Sequence, residues 1–415
     1  MVRKLRPLLA SYGGGHVQIL AALARGFISR GDQPDVIGFT TAYAELGRQG
    51  IAARSVSALL DQAADGEWLA LAEDFTSGTS HPDIHRDETR AYFALGLRDL
   101  AGDIGRESAV ARVRSEGRTA FEPVGVMRRY LRRMEPDIVV TTTSPRFECA
   151  LLKAARLEGI PNLAVGDLFL VQERAWILQP DYAEHLAVLS GEVAHALVAE
   201  GFPQSGIRVT GNPVFDRLAP GPEDVARRAA LRAQLDIEDK VVILFPAPGA
   251  HGSMDARPFL ELVDVIAAFE DLCRADPQYA YILRQHPNRP MSFPEGAQRG
   301  ILDDGTVLSP EAAILVSDIV CVDVSTMGLQ AALAGKPVIC IAFGDYVLYP
   351  KFGIGQEVAN MDEAISILKA GHFKGTARLD MPPLGSATAN VLSFVDDIVA
   401  QHPDSPSLNR AHGDP

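Results

Sequence analysis

Short apolar runs alternate with longer segments of helical periodicity along the whole chain. In the first half, the apolar runs at residues 5–11, 35–39 and 137–142 are each followed by a segment whose apolar residues recur every three to four positions. The second half repeats this design, with a helix at residues 223–234 and an apolar run at 241–245. Parallel strands need crossover connections, which are usually helices. We therefore predict an α/β fold made of two doubly wound, Rossmann-like domains.

A turn-rich segment separates the two halves. The sequences GNP at residues 211–213 and APGP at 219–222 interrupt the alternation, and clustered Gly and Pro are typical of loops and linkers. We expect an N-terminal domain at residues 1–217 and a C-terminal domain at residues 218–402, which would include a final helix at 387–401.

Two segments fall outside the regular alternation. Residues 61–117 mix charged and aromatic side chains, and we interpret them as helical insertions or as a lid over a cleft. Residues 403–415 are polar and rich in proline, which predicts a disordered tail. Facing Rossmann-like domains would leave a cleft between the carboxyl ends of their strands, where ligands bind.

Composition indicates an ordinary globular protein. The chain has 415 residues, of which 47% are hydrophobic and 22% are charged, and this length exceeds what a single core usually supports. No run approaches the roughly 18 apolar residues that cross a bilayer, so we expect a cytoplasmic protein. Four cysteines stand singly, without CxxC spacing, which predicts buried thiols rather than disulfides or a zinc site. They are Cys149, Cys273, Cys321 and Cys340.

The net charge of −14 argues against a nucleic-acid partner, because binding phosphates requires a dense basic face. One predicted helix carries a local basic stripe, which consists of Arg128, Arg129, Arg132 and Arg133. Such a stripe is either a solvated helix face or a peripheral contact with anionic lipid or an acidic acceptor. The oligomeric state stays open.

The segment at residues 318–341 carries the strongest indication of a ligand. An apolar run ends at Asp323, a helix begins near Ser325 and Thr326, and GKP at residues 335–337 precedes a second apolar run. A helix start beyond the carboxyl end of a strand directs backbone N–H groups and hydroxyls at one point, which suits a phosphate. The alternative is an ordinary crossover in which the hydroxyls only cap the helix.

Four motifs resemble the superfamily of GT-B glycosyltransferases and UDP-N-acetylglucosamine 2-epimerases. SYGGGH at residues 11–16 resembles the glycine-rich first loop of the lipid II-forming transferase, and VTGNPVFD at 209–216 resembles a hinge motif of lipid A disaccharide synthase, lipid II synthase and the epimerases. LRQHPN at 283–288 and the segment at 323–337 resemble nucleotide-side segments. The resemblance implies a GT-B fold with an N-terminal acceptor-binding domain and a C-terminal nucleotide-sugar-binding domain.

Two departures from the epimerases bear on function. Where the epimerases carry GTRPE, HGDT and HVEAG, this chain has YGGGH at residues 12–16, TTTS at 141–144 and AVGDL at 164–168. The first of the carboxylates needed to move a proton at a sugar carbon is absent, so we favour glycosyl transfer over epimerisation. Gln330 and the alanines at 331–332 replace the Gln-Glu-Glu that holds the ribose, which leaves UDP and CDP both open.

The resemblance implies a metal-independent glycosyltransferase. We expect it to move a sugar from a UDP- or CDP-linked donor to the hydroxyl of a glycan or lipid-linked acceptor, in cell-surface glycan or glycolipid biosynthesis. No Asp-x-Asp metal pair is evident in the sequence, and we expect no metal and no cofactor. The alternatives are a hydrolysing or non-hydrolysing UDP-N-acetylglucosamine 2-epimerase, and a catalytically silent sugar-nucleotide-binding protein.

The candidate catalytic residues are His16 and Asp167, with Glu173 as a third choice. His16 follows three glycines at a predicted helix start, where the helix dipole favours a neutral imidazole that can accept a proton. Asp167 follows a strand and is the rival base. Amides, hydroxyls and donor side chains are expected to bind the nucleotide sugar, although His251 and His286 are also compatible with ordinary loop histidines. These positions are Gly14, Gly15, Gly249, His251, Gly252, Ser253, Arg284, His286, Ser325, Thr326 and Gln330.

Overall fold

The computed structural model describes most of the chain, and its compact parts form two units. The described residues are 4–61, 63–77, 81–248, 260–286, 291–293, 297–323, 325–341, 349–373 and 378–402. Unit 1 consists of Met1–Asp216 together with Asp380–Pro415, and unit 2 is Arg217–Leu379.

Among the described residues, unit 1 contains a parallel sheet of seven strands. The strands are β1 (Pro7–Ser11), β2 (Asp35–Gly38), β3 (Arg54–Ser55), β4 (Ile138–Thr141), β5 (Asn162–Val165), β6 (His185–Val188) and β7 (Ile207–Val209). Their spatial order is β3-β2-β1-β4-β5-β6-β7. Leu8 of β1 lies opposite Val139 of β4 in the parallel register. This is the order of a doubly wound, Rossmann-like sheet, as the sequence predicts.

Helices cover both faces of this sheet. They are α1 (Gly15–Arg30), α2 (Thr41–Arg48), α3 (Gly66–Ala72), α4 (Arg86–Ile104), α5 (Arg106–Glu116), α6 (Val124–Met134), α7 (Phe147–Leu157), α8 (Arg174–Ile177) and α9 (Gly191–Ala199), with α15 (Ala387–Ala400) returning from the end of the chain. Short 3-10 helices occur at Val56–Leu59, Glu73–Phe75, Gly117–Ala120, Gln204–Gly206 and Pro213–Leu218.

Successive residues of β1 enter two different hydrophobic cores. Leu8 belongs to a core with residues of α4, α6 and α7, whereas Leu9 belongs to a core with residues of α1 and α15. Adjacent side chains of a strand point to opposite faces of the sheet, so the two cores lie on its two faces. Burial on both faces explains why the strands are continuous apolar runs.

The described part of the segment at residues 61–117 is mainly helical, which agrees with the interpretation as helical insertions, and its helix α4 contributes to the core of unit 1. Tyr92 and Phe93 of α4 are buried in the same core as Phe39 and Phe147. The rings of Tyr92 and Phe147 stack with centroids 4.2 Å apart. Helix α4 is therefore a packed layer of unit 1.

Unit 2 repeats the architecture with six parallel strands among its described residues. The strands are β8 (Val241–Pro246), β9 (Tyr279–Arg284), β10 (Gly300–Asp303), β11 (Ile319–Val322), β12 (Val338–Ile341) and β13 (Gln356–Val358), in the order β10-β9-β8-β11-β12-β13. The helices are α10 (Asp224–Gln234), α11 (Leu262–Ala275), α12 (Pro310–Val316), α13 (Met327–Leu333) and α14 (Met361–Ala370), with a 3-10 helix at Tyr349–Phe352.

The final helix departs from the sequence-based domain assignment. The sequence order predicts that residues 387–401 close the C-terminal domain, but α15 belongs to unit 1. Leu392 and Val395 are buried in the core that includes α1. A Cβ at Gly26 of α1 would lie 2.8 Å from Cδ1 of Leu392, so the missing side chain lets the two helices approach closely. The carboxylate of Asp216 accepts hydrogen bonds from the first amides of α15.

All four cysteines are buried and none forms a disulfide, which confirms the expectation of buried thiols. Burial raises the pKa of Cys149 to about 12 and that of Cys273 to about 11. No helix among the described residues is long and apolar enough to cross a membrane.

Candidate functional site

The strand order of unit 1 places a topological switch point between β1 and β4. The chain continues to β2 on one side of β1 and, after β4, to β5 on the other side. At such a point the connections leave in opposite directions, and ligands of open α/β sheets bind outside the carboxyl ends of the two strands. The loop after β1 begins at Tyr12, and the loop after β4 begins at Thr142.

The glycine-rich loop after β1 is closely packed. A Cβ at Gly13 would lie only 1.8 Å from the hydroxyl oxygen of Thr41, so a larger residue would displace the start of α2. Gly14 has a φ of 72°, which favours glycine. These two glycines allow α1 to begin at Gly15 and place His16 in its first turn. Nδ1 of His16 is buried and has no hydrogen-bond partner among the residues the structure describes.

Asp167, the predicted rival base, lies beside this loop. Its Oδ2 atom would be 3.3 Å from a Cβ at Gly15. Nδ2 of Asn212 donates to the backbone carbonyl of Asp167 at 2.6 Å and to Oδ1 at 3.2 Å. Burial raises the pKa of the Asp167 carboxyl, while the charge of His16 and the bond from Asn212 act in the opposite direction. Asp167 and His16 are therefore close enough to interact electrostatically.

Glu173 joins the same group. It precedes α8, and burial raises the pKa of its carboxyl, with His16 lowering it and Asp167 raising it further. The structure thus brings together the three residues that the sequence proposed separately. We call His16, Asp167 and Glu173 the acid–base cluster. Two carboxyl groups with raised pKa beside an imidazole are suited to giving and taking protons nearer neutral pH than free carboxyls.

Glu148 supports the switch point and was not identified from the sequence. It is fully buried, and its carboxylate accepts hydrogen bonds from the Tyr12 amide at 2.7 Å and from the Thr142 hydroxyl at 2.6 Å. A third, longer bond comes from the Ser144 amide at 3.4 Å. This carboxylate therefore fixes the loop after β1 to the loop after β4. In the sequence, Glu148 is recognisable only as a glutamate within an otherwise apolar helical segment.

In unit 2, the switch point lies between β8 and β11. Four residues predicted to bind the nucleotide sugar follow β8 but lie outside the described residues, namely Gly249, His251, Gly252 and Ser253. Their part in binding stays a prediction.

Arg284 is held by its own unit. Its guanidinium forms an ion pair with the buried carboxylate of Asp303 and donates to the Leu308 carbonyl at 2.9 Å. The Arg284 side chain is 12% exposed and that of Asp303 is 2% exposed. Arg284 therefore has a structural role in unit 2, and its proposed contact with a phosphate stays a prediction.

The remaining predicted residues of unit 2 lie near the carboxyl ends of its strands. His286 is half-buried, and burial lowers the pKa of its imidazole. The Ser325 hydroxyl accepts a bond from the Met327 amide at 3.3 Å. Thr326 is exposed, and Gln330 is partly exposed on α13. Helix α13 has seven residues, so its dipole is short, and Ser325 acts at least as a local cap.

The basic stripe is largely engaged within the chain. Arg128 and Arg132 bind the Glu158 carboxylate at 2.6 and 2.7 Å, and Arg133 donates to the Ala58 carbonyl at 2.7 Å. These bonds favour the interpretation of a helix face over a lipid contact. Among the described residues, no group of three or more His, Cys, Asp or Glu side chains is arranged to hold a metal ion.

Comparison with known proteins establishes the fold. No protein-family model matches the chain, and no curated protein matches it. Solved structures that resemble it include UDP-N-acetylglucosamine 2-epimerases from three organisms. The one from Neisseria meningitidis, bound to UDP-N-acetylglucosamine, is 12% identical, with a TM-score of 0.60 over 95% of this chain and 100% of that chain. The one from Methanocaldococcus jannaschii, bound to UDP-N-acetylglucosamine and UDP, is 12% identical, with a TM-score of 0.58 over 95% and 100%. The one from Rickettsia bellii is 13% identical, with a TM-score of 0.56 over 97% and 99%.

These similarities confirm the predicted fold class, a GT-B-like fold that consists of two Rossmann-like domains. At 12–13% identity they show the fold alone. The expected resemblance to the lipid II-forming transferase and to lipid A disaccharide synthase stays a prediction.

Proposed function

We propose that the protein is an enzyme that acts on a UDP-linked sugar and inverts a carbon of that sugar, in the manner of a UDP-N-acetylglucosamine 2-epimerase. The acid–base cluster is the observation that carries this proposal. The proposal agrees with the fold neighbours, since two of them are described as UDP-N-acetylglucosamine 2-epimerases bound to UDP-N-acetylglucosamine, one of them also to UDP.

Inversion at a ring carbon requires one group to remove a proton and a group to return it to the opposite face. The hydrogen on C2 of a nucleotide sugar is not acidic. Its removal is therefore coupled to departure of the nucleotide diphosphate from C1, so that the C2–H and C1–O bonds break as a C1–C2 double bond forms. A proton then adds to the opposite face of C2 while a diphosphate oxygen or the oxygen of a water molecule bonds to C1, which gives a nucleotide-linked or a free sugar. Asp167 and Glu173 provide two carboxyl groups, and both have a pKa raised by burial. His16 interacts with both.

The acid–base cluster favours epimerisation over glycosyl transfer. The sequence lacks a carboxylate after β4, where the epimerases have one, and this absence by itself favours transfer. Transfer to an acceptor hydroxyl needs a single base, and the second perturbed carboxyl would then have no chemical task. The geometry thus supports epimerisation better, and glycosyl transfer is the alternative that the experiment must separate from it.

The test is incubation of the protein with UDP-N-acetylglucosamine in the absence of an acceptor, followed by ¹H NMR of the sugar signals. We expect signals of the manno configuration, either nucleotide-linked or free. Asp167→Asn should lower this rate by about 100-fold or more, since general acid–base groups contribute about 10²–10⁴. Asp103→Asn, an exposed position on α4, is the matched control and should leave the rate unchanged.

Two other results would contradict the proposal in different ways. Sugar signals that stay unchanged alone, but are consumed when a glycan or lipid-linked acceptor is added, would identify a transferase. Binding of UDP-N-acetylglucosamine without any turnover would identify a silent binder. Thermal shift measures that binding, since a ligand at about 100 times its dissociation constant stabilises the folded state by about 2.7 kcal/mol.

A further inference from the structure

Arg146, at the switch point of unit 1, has an unfavourable backbone conformation. It lies between β4 and α7 with φ 66° and ψ −115°, a region in which residues other than glycine are uncommon. Such a conformation is energetically unfavourable and persists where the surroundings or a function maintain it. Glycine would fit here without strain, so the arginine side chain must contribute something that offsets this cost.

The guanidinium of Arg146 is held in place by an aromatic group. Its Cζ atom lies 5.0 Å from the ring centroid of Tyr12. The Tyr12 hydroxyl forms a hydrogen bond of 2.7 Å with that of Tyr92, and the Tyr12 ring contacts Phe39 with centroids 5.3 Å apart. Both tyrosines are buried. Arg146 therefore rests on a rigid surface that limits the positions its charge can take.

The charge of Arg146 has no counter-ion among the residues that the structure describes. Nε of Arg146 is buried without a hydrogen-bond partner, and no carboxylate among the described residues forms an ion pair with this side chain. Other arginines of unit 1 do have such partners. Arg128 binds Glu158, and Arg174 binds Glu200. A buried, unpaired N–H of a charged group is costly, and its preferred partner is an oxyanion that accepts two parallel bonds.

The loop that carries Arg146 also has a second buried polar group without a partner among the described residues. The loop after β4 also carries Thr143, whose hydroxyl is buried without a hydrogen-bond partner among the described residues. The Trp176 indole donates to the Thr143 carbonyl at 2.9 Å. Tyr12, on which Arg146 rests, directly precedes the glycine loop that leads to His16. Arg146 thus follows β4 at the edge of the sheet where the acid–base cluster lies.

We propose that Arg146 binds an oxyanion, a carboxylate or a phosphate ester, on the sugar that unit 1 accommodates, so that the natural substrate is an acidic sugar. The inference rests on the proposed function, because it places the charged group on the sugar of that same substrate. Arg146 would then determine specificity, and proton transfer would remain with the acid–base cluster.

Calorimetric titration of the full chain tests this inference with four probes. They are UDP, UDP-N-acetylglucosamine, UDP-N-acetylglucosaminuronate and UDP-N-acetylglucosamine 6-phosphate. We expect one of the two acidic sugars to bind at least about 10-fold more tightly than the neutral one, as a charge-assisted pair would provide. The acidic probe that shows the preference identifies the oxyanion.

Arg146→Gly should abolish this preference and leave the affinities for UDP and for the neutral sugar nucleotide within about twofold. Glycine relieves the backbone strain, so this variant is expected to fold, and its melting temperature checks that. Arg146→Lys should restore part of the preference, because it keeps the charge without the planar fork. Arg156→Ala, an exposed position in the last turn of α7, is the matched control and should behave as the wild type.

Three results would overturn the inference. They are a wild type that prefers neither acidic sugar, an Arg146→Gly variant that keeps the preference, and an Arg146→Gly variant that binds UDP itself equally weakly, which would place the diphosphate on Arg146. If none of the four nucleotide compounds binds, the proposed function fails. Arg146 is then tested separately, by comparing the binding of free glucuronate and of glucose 6-phosphate with that of glucose. Binding of one of these acidic sugars to the wild type, with its loss in Arg146→Gly, upholds the inference, whereas the failure of both acidic sugars to bind overturns it.

Discussion

The carboxyl group of Asp167 is placed where its ionised form is costly. Burial raises the pKa of this group, and neither His16 nor Asn212 fully offsets the effect. Proteins commonly retain such groups at sites where function requires a proton to move. The same property that supports the proposed chemistry should therefore reduce the stability of unit 1.

We predict that Asp167→Asn stabilises the protein at pH 8. The raised pKa means that the wild-type carboxyl is most stable in its neutral form. The cost of ionisation is absent below the unfolded value of about 3.9 and appears as pH rises through the folded value. Asn stays neutral throughout, so the gain in melting temperature should be largest at pH 8 and should fade towards pH 4. A variant less stable than the wild type at pH 8 would contradict this explanation.

Glu148→Ala should destabilise unit 1 by about 3 kcal/mol. The substitution leaves the buried Tyr12 amide and Thr142 hydroxyl without their acceptor, and unsatisfied buried donors are expensive. Urea unfolding measures the loss. Glu107→Ala, an exposed position in the first turn of α5, should change the free energy of unfolding by about 0.5 kcal/mol or less. Equal effects of the two substitutions would show that Glu148 does not link the two loops.

His16, Asp167 and Glu173 could be predicted as candidates because each follows a strand or a glycine turn, and the carboxyl ends of parallel strands share one edge. Glu148 and Arg146 could not be assigned roles in this way. Their importance depends on contacts with Tyr12, which is more than 130 residues away in the chain. Local sequence patterns do not encode such distant partners.

At the scale of elements, strands and helices were predictable because apolar runs and turn residues report local structure. The destination of α15 was not. Its amphipathic pattern predicts a helix but does not show which sheet it covers, and the sequence order suggested unit 2. The position of α15 depends on two complementary surfaces, the gap that Gly26 leaves on α1 and the buried apolar face of α15.

Removing part of that contact should weaken unit 1 selectively. We predict that Leu392→Ala lowers the free energy of unfolding by about 3 kcal/mol, as is usual for a buried leucine. Hydrogen exchange should increase in α1 and remain unchanged in α11 of unit 2. Leu157→Ala is the matched control, since Leu157 is 61% exposed. Faster hydrogen exchange in α11 but not in α1 would show that α15 packs against unit 2, which contradicts the assignment of α15 to unit 1.

At the scale of the whole molecule, the two units repeat one design, a parallel sheet whose strand order reverses beside its first strand. The duplication was visible in the sequence as repeated alternation of strand and helix. Fold-level similarity does not determine chemistry, so the choice between epimerisation and transfer depends on the acid–base cluster.

The most direct test of that choice is the fate of the hydrogen on C2. The protein is incubated with UDP-N-acetylglucosamine in D₂O without an acceptor, and the products are analysed by NMR and mass spectrometry. Removal and return of a proton by the acid–base cluster predicts a manno-configured product that carries deuterium at C2, with the rate greatly reduced in Asp167→Asn. A sugar that keeps its C2 hydrogen and its configuration, while being transferred to an added acceptor, would contradict the account.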